Sequence, residues 1–289
     1  MHTAADGPVI GLFDSGVGGL SVLRAVRAQV PQARLLYLAD QAHVPYGRRS
    51  RAQIRAYARG ITRFLLAQGV QVIVVACNTA TAAAIDTLRA EFPGVPFVGI
   101  EPAVKPAAQA TRRGVVGVLA TQATFRQPRY ATLVRRFAPH VRVLEDPCPG
   151  LVERIEAGEV DGPQVRAILR RAVGPMLQAG ADTFVLGCTH YPFARAALQD
   201  LVGPEVRILD PAPAVARQVV RVLARLGWSG EPGSARAGEV AFFTTGDPAA
   251  LAAAVQRLLG WPRPSVVTPL RWQGAALAEA FPRLTLLPS

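Results

Sequence analysis

The sequence predicts an α/β protein of two similar parallel-sheet α/β domains, related by pseudo-symmetry, with an active site in the cleft between them. Apolar runs of strand character alternate with segments of helical spacing along the 289 residues. The runs lack polar alternation, which is typical of parallel strands covered on both faces. Two motifs also recur later in the chain at nearly equal offsets, which indicates an internal repeat.

The first unit contains alternating strands and helices. Its predicted strands are short apolar runs at 8–14, 33–40, 70–76 and 95–100. Its predicted helices have apolar residues at helical spacing and occupy 18–29, 50–69 and 79–92. The returns from helix to strand carry residues that end helices, namely Gly69, Pro93, Gly94 and Pro96.

The same pattern restarts near residue 114. Further strands are predicted at 114–120, 141–145, 181–187 and 206–213. The helices between them are predicted at 122–138, about 149–158, 162–179 and about 191–202. The chain then continues with a helix at about 214–227, a Gly/Ser-rich loop at 227–238, a strand at 239–245 and a helix at 248–259.

The internal repeat aligns "VIGLFDSGVGG" with "VVGVLATQAT". Gly11 then matches Gly117 at an offset of 106 residues, and Cys77 matches Cys188 at an offset of 111. Functional groups in open parallel sheets gather beyond the carboxyl ends of the strands. We therefore expect one cleft to be bordered by the polar residues that follow strands, namely Asp14, Ser15, Cys77, Thr121 and Cys188.

Composition excludes several classes of protein. No secretory signal begins the chain, and no apolar run is long enough to cross a bilayer, so we expect a cytoplasmic protein without a membrane partner. The formal net charge is +12, and Lys105 is the only lysine. This balance leaves nucleic-acid binding open. The favoured interpretation is an arginine-rich surface, whose positive field would also attract a small anionic substrate.

The three cysteines carry the chemical argument. None is spaced as Cys-x-x-Cys and the four histidines lie far apart, so no metal site is expected. Cys148 is interpreted as a small buried hydrophobe or a tolerated loop residue. Cys77 and Cys188 each end a strand before a predicted helix, whose positive end would lower a thiol pKa. Such a pair could do redox work, or it could straddle a substrate and exchange a proton at carbon, which is racemisation or epimerisation.

Five motifs match a known family in order and spacing: "GLFDSGVGGLSV", "YLADQAHVPYG", "VVACNTATA", "GVLATQAT" and "LGCTHYPF". Over residues 9–213 the chain resembles bacterial glutamate racemases of the cofactor-independent aspartate/glutamate racemase superfamily. The resemblance implies a first domain of residues 1–100 plus 213–289 and a second domain of residues 101–212. It also implies that Cys77 and Cys188 are the catalytic acid/base pair.

The resemblance also assigns the remaining site residues. The assisting catalytic groups would be Asp14, His190 and Glu153. The substrate-binding residues would be Asp14, Ser15, Pro45, Tyr46, Gly47, Asn78, Thr79, Thr121, Thr189 and His190. No cofactor is expected, because a pyridoxal enzyme needs a Schiff-base lysine and Lys105 lies outside every motif. Hydrogen bonds and ion pairs would instead stabilise the developing carbanion.

The resemblance implies a homodimeric isomerase that converts L-glutamate to D-glutamate for peptidoglycan synthesis, and so for cell-wall biogenesis and cell shape. Glutamate is the expected partner, and no nucleic acid is obligatory. Two alternatives stay open. One is a racemase of the same superfamily that acts on aspartate or another acidic amino acid. The other is a protein that binds nucleic acid or DNA gyrase.

Overall fold

The structure is a computed structural model that describes residues 7–228 and 238–279. Within these residues it contains two β-sheets covered by helices. The chain ends and most of the predicted loop at 227–238 lie outside the described residues. Among the described helices, none combines the length and apolarity that crossing a membrane requires.

The larger sheet has the order β11-β10-β9-β2-β1-β3-β4 in the described part of the chain. Its strands are β1 Val9–Asp14, β2 Arg34–Ala39, β3 Val72–Val75, β4 Phe97–Gly99, β9 Val240–Thr244, β10 Val267–Gln273 and β11 Ala276–Glu279. All neighbouring strands are parallel except the β10–β11 hairpin. We call this sheet the first lobe, together with its helices α1 Leu20–Gln29, α2 Arg51–Ala67, α3 Asn78–Glu91, α10 Ala212–Arg225 and α11 Pro248–Leu259.

The smaller sheet is entirely parallel and has the order β6-β5-β7-β8. Its strands are β5 Val115–Leu119, β6 Arg142–Asp146, β7 Thr183–Leu186 and β8 Arg207–Leu209. We call this sheet the second lobe, together with its helices α4 Val104–Ala110, α5 Gln122–Phe125, α6 Pro128–Phe137, α7 Leu151–Glu156, α8 Pro163–Gln178 and α9 Arg195–Val202.

The two sheets repeat one topology, because β6-β5-β7-β8 follows the same order as β2-β1-β3-β4. The register repeats as well. Gly11 pairs with Ile73, four residues before Cys77, and Gly117 pairs with Phe184, four residues before Cys188. The predicted fold class and pseudo-symmetry are therefore confirmed. We propose the domain boundaries drawn from the resemblance, since the strands of each sheet fall within one of the two predicted segments.

Both faces of the first sheet are buried. Ile10 and Leu12 pack in one hydrophobic cluster, and Phe13 packs in another on the opposite face. The alternation of strand side chains explains this arrangement, since successive residues point to opposite faces. The central strands β1 and β3 are fully buried and almost wholly apolar because helices cover them on either side.

The predicted helix at 122–138 is wrong as a single element. It consists of α5 and α6, and Pro128 is the first residue of α6. Proline has no N–H and clashes with the preceding turn, so it is favoured in the first turn of a helix and disfavoured in its interior. The predicted helix at 191–202 begins with a 3₁₀ turn, Tyr191–Ala194. The sequence did not predict α4, β10 or β11.

Candidate active site

A pocket of about 310 Å³ lies between the carboxyl ends of β1, β3, β5 and β7. It brings together residues that the sequence places far apart, and both lobes contribute to its walls. Its lining is Ser15, Pro45, Tyr46, Gly47, Cys77, Asn78, Thr79, Thr121, Thr124, Val152, Gly187, Cys188, Thr189 and His190. Cys77 and Cys188 therefore face a shared chamber.

Cys77 lies between β3 and α3, as the N-cap of that helix. Its Sγ accepts a hydrogen bond from the Ala80 N–H at 3.4 Å, and the residue is 6% exposed. Burial raises the pKa of the thiol well above its usual range, and the nearby Asp14 carboxylate raises it further. The expectation that the helix end lowers this pKa was therefore wrong in its net direction. The Ala80 N–H does lower it, but burial has the larger effect.

Cys188 follows β7 and lies beside a buried histidine. Its Sγ is 3.6 Å from Nδ1 of His190, whose Nε2 is 2.6 Å from Oε1 of Glu156. Burial alone would lower the pKa of His190, but its hydrogen bonds with Cys188 and Glu156 raise it well above the ordinary value. The raised pKa favours the protonated form of His190, which places a hydrogen-bond donor and a positive charge beside the sulfur of Cys188.

Glu156 is a half-buried carboxylate on α7. Burial raises the pKa of Glu156. The hydrogen bond from His190 and the charge of that residue lower this pKa, and together with the other hydrogen bonds they outweigh burial, so the pKa is lowered overall. The carboxylate also accepts the Val17 N–H at 2.8 Å and a side-chain hydrogen bond from Gln41. Both of these donors belong to the first lobe, so Glu156 joins the two lobes beside the pocket.

Asp14 is fully buried at the end of β1. It accepts the Gly16 N–H at 2.8 Å and the Thr189 hydroxyl at 3.0 Å. Burial raises the pKa of Asp14 to about 6, while the charge of His190 and the Gly16 N–H oppose that rise. Asp14 does not line the pocket, but its hydrogen bond from Thr189 connects it to a residue that does.

The opposite wall of the pocket is neutral and polar. The Asn78 side chain is 4% exposed, and neither its oxygen nor its nitrogen has a hydrogen-bond partner among the described residues. A buried amide without partners is costly, so a ligand that satisfies it would bind favourably. The Thr121 hydroxyl lies 3.1 Å from those of both Thr79 and Thr124. These neutral groups can hold a carboxylate without a buried cation.

Glu153 does not lie where the sequence predicted it. Its carboxylate accepts a hydrogen bond from Arg48 at 2.8 Å, its side chain is 44% exposed, and it does not line the pocket. Glu156, one turn further along α7, contacts His190 instead. The sequence reasoning missed Glu156, and it also missed Thr124 and Val152. The short segment "VERIEAG" carries both glutamates, and only packing against His190 distinguishes them.

Cys148 is 1% exposed and packs in the hydrophobic cluster of the second lobe, away from the pocket lining. Within residues 7–228 and 238–279, no three His, Cys, Asp or Glu side chains are close enough to hold a metal ion.

Two parallel-sheet lobes around a pocket with two thiols define an α/β enzyme with an interlobe active site. The chain belongs to the Asp/Glu/Hydantoin racemase family, which its residues 20–219 match. It is therefore a racemase, and the resemblance drawn from the five motifs is confirmed.

Several glutamate racemases are similar to this chain. That of Pseudomonas aeruginosa is 56% identical over 220 residues, which cover 76% of this chain and 83% of that protein. That of Stutzerimonas stutzeri is 48% identical over 275 residues, covering 94% and 97%. The crystal structure of Escherichia coli glutamate racemase with L-glutamate and the activator UDP-MurNAc-Ala superimposes with a TM-score of 0.76. It is 32% identical, and the match covers 87% of this chain and 95% of that one.

Proposed function

We propose that this protein interconverts L- and D-glutamate by a two-cysteine, two-base mechanism without a cofactor. The observation that carries the proposal is the shared pocket, in which two buried thiols lie in unlike surroundings. Cys77 lies beside an acidic residue and is held as a thiol. Cys188 lies 3.6 Å from Nδ1 of the buried His190, and we assign this sulfur the role of base. One base and one acid are thus ready at the same time.

The reaction begins with the Cys188 thiolate. Its sulfur forms an S–H bond as the Cα–H bond of the substrate breaks, and the electron pair moves into the adjacent carboxylate. Cys77 then breaks its own S–H bond and delivers a proton to the opposite face of Cα. The reverse reaction exchanges the roles of the two sulfurs, so general acid/base catalysis operates in both directions.

The pocket walls suit an acidic amino acid. The Asn78 amide and the hydroxyls of Thr79, Thr121 and Thr124 line the pocket and can bind carboxylates. A direct contact of Asp14 with the ammonium group stays a prediction, because Asp14 does not line the pocket. Fixed dipoles of this kind stabilise the charge that develops on the carboxylate during proton removal. Glutamate is the favoured substrate because relatives at 48–56% identity are glutamate racemases, and the Escherichia coli structure contains L-glutamate.

The proposal extends to the supply of D-glutamate for peptidoglycan. It draws support from the activator in the Escherichia coli structure, UDP-MurNAc-Ala, because MurNAc is a sugar of the cell wall. The cytoplasmic location and the homodimer stay predictions from the sequence.

Circular dichroism of the purified protein with L-glutamate, D-glutamate and L-aspartate tests the proposal. We expect both glutamate enantiomers to lose optical activity without an added cofactor. A preference for aspartate would replace the proposed substrate. Cys77→Ser and Cys188→Ser should each abolish racemisation, and full activity in either variant would refute the two-thiol mechanism.

A further inference from the structure

Asp40 is a buried carboxylate outside the pocket that the proposed mechanism does not use. It directly follows β2 and is fully buried. Four described side chains donate hydrogen bonds to it. The Tyr46 hydroxyl lies at 2.7 Å, the Thr245 hydroxyl and Trp272 Nε1 at 2.8 Å, and His43 Nδ1 at 2.9 Å. An ionised carboxylate has about four lone-pair sites, so these donors saturate it.

The four donors come from distant parts of the chain. His43 and Tyr46 belong to the segment after β2, which we call the substrate loop, residues 41–49. Thr245 directly follows β9, and Trp272 is in β10. The Thr245 hydroxyl also accepts the Ala42 N–H at 3.0 Å. Asp40 therefore fastens the substrate loop to two strands of the first sheet.

The same loop forms one wall of the pocket. Pro45, Tyr46 and Gly47 line it. The Tyr46 hydroxyl is committed to Asp40, so Tyr46 presents its ring to the pocket. A Cβ at Gly47 would lie 3.8 Å from Cβ of Thr121 in the second lobe, so a small displacement of the loop would change the width of the pocket.

The substrate loop also contacts Glu156, the hydrogen-bond partner of His190. The Gln41 side chain donates a hydrogen bond to Glu156. The side-chain oxygen of Gln41, Oε1, accepts a hydrogen bond from the Thr244 hydroxyl at 2.7 Å. Gln41 directly follows Asp40 in the sequence. Asp40 therefore helps to position both the pocket wall formed by Tyr46 and Gly47 and the hydrogen bond between Gln41 and Glu156.

An aromatic cluster also packs the substrate loop against α2 and β10. The His43 ring stacks on Tyr57 of α2 at 3.7 Å between ring centroids, and Trp272 lies 5.4 Å from His43. Trp272 itself does not line the pocket. A substitution at Trp272 can therefore affect substrate binding only by changing the position of the substrate loop.

We propose that Asp40 is a positioning residue for racemisation, which holds the substrate loop at the distance from the second lobe that the bound substrate requires. The inference rests on the proposed function, because it takes the pocket as the substrate site. The loop contacts the substrate before and during proton transfer alike. Its displacement should therefore raise KM more than it lowers kcat.

The test compares Asp40→Asn and Trp272→Phe in the full chain with wild type. An asparagine at 40 offers one acceptor oxygen and an NH₂ group that faces donors, so some of the four hydrogen bonds must break. We expect KM to rise about tenfold for Asp40→Asn, with kcat within about threefold, because tenfold corresponds to about 1.4 kcal/mol of lost binding, about the size of one hydrogen bond. Trp272→Phe should raise KM in the same direction by a smaller factor.

A matched control is Asp247→Asn, the same substitution at an exposed N-cap whose carboxylate accepts the Ala249 N–H. Asparagine caps helices as well as aspartate does, so its KM should equal that of wild type. The double variant Asp40→Asn/Trp272→Phe should be no worse than Asp40→Asn alone, because both changes act through one carboxylate.

A merely structural role predicts a different result. It would lower the melting temperature and reduce the active fraction, leaving KM unchanged, and that outcome overturns the inference. If Asp40→Asn does not fold, Trp272→Phe and Tyr46→Phe decide by the same change in KM. The assay uses whichever acidic amino acid the wild-type protein racemises. Inactivity of the wild-type protein on glutamate alone would refute the proposed substrate, and the role of Asp40 would still be tested with the substrate that is racemised.

Discussion

Glu156→Gln tests the assignment of His190 as the charged partner of Cys188. The substitution keeps the size of the side chain and removes its charge. In the structure Glu156 Oε1 lies 2.6 Å from His190 Nε2 inside a pocket wall where His190 is 2% exposed. A hydrogen bond between charged groups contributes about 1.5–3 kcal/mol. A glutamine can still accept from His190, but it lacks the negative charge that favours the imidazolium, so the pKa of His190 should fall.

The assay is the dependence of kcat/KM on pH. L- and D-glutamate have equal free energies, so any variant must change kcat/KM by the same factor in both directions. A comparison of the two directions is therefore uninformative, and the test is the change in the pH profile. The imidazolium form of His190 should be lost at lower pH, which moves the alkaline limb of the profile to lower pH. The maximal kcat/KM should fall by about 10- to 100-fold.

The matched comparison is Glu153→Gln, three residues earlier on α7. Its carboxylate contacts the exposed Arg48 and not His190, so we expect kcat/KM to change by less than about threefold, as for exposed ion pairs. An unmoved alkaline limb in Glu156→Gln would refute the reasoning. A larger effect of Glu153→Gln than of Glu156→Gln would restore the prediction made from the sequence.

Three further predictions follow from buried polar groups. Asn78→Ala should raise KM about tenfold or more while the melting temperature stays equal or rises, because it removes an amide without partners among the described residues; a lower melting temperature with unchanged KM would contradict this. Asp14 has a pKa raised from 3.8 to about 6, so the native state binds more protons than the unfolded state between these values, and stability falls as pH rises through that window. Asp14→Asn should abolish this fall in urea unfolding at pH 4 and pH 7, and should lower racemase activity; a fall of wild-type size would refute the pKa assignment. The α-hydrogen of glutamate should exchange with deuterium in ²H₂O, detected by mass spectrometry, and its retention over many turnovers would rule out proton exchange at the two sulfurs.

The sequence predicted the fold and the meeting of the thiols because both depend on local patterns. The apolar runs indicated parallel strands, and the repeated glycine and cysteine motifs indicated that Cys77 and Cys188 follow equivalent strands, which are β3 and β7. The break at Pro128 was also readable from the sequence, since proline begins helices. The choice between Glu153 and Glu156 was not, because both lie on one short helix and only tertiary packing selects one.

The same limit applies to the thiol pKa values. A helix N-terminus typically contributes 0.3–1 kcal/mol, up to about 2 kcal/mol in favourable geometry, whereas full burial can raise a thiol pKa by about 3 to 5 units. The sequence reveals the helix but not the depth of burial, so it predicted the weaker effect at Cys77. The two lobes repeat one backbone topology, yet an acid lies beside one sulfur and an imidazolium beside the other. A racemase needs such asymmetry in each turnover, because two thiols cannot remove a proton and two thiolates cannot deliver one. Duplicated strands bring the two sulfurs to one pocket, and the neighbours of each sulfur there are different.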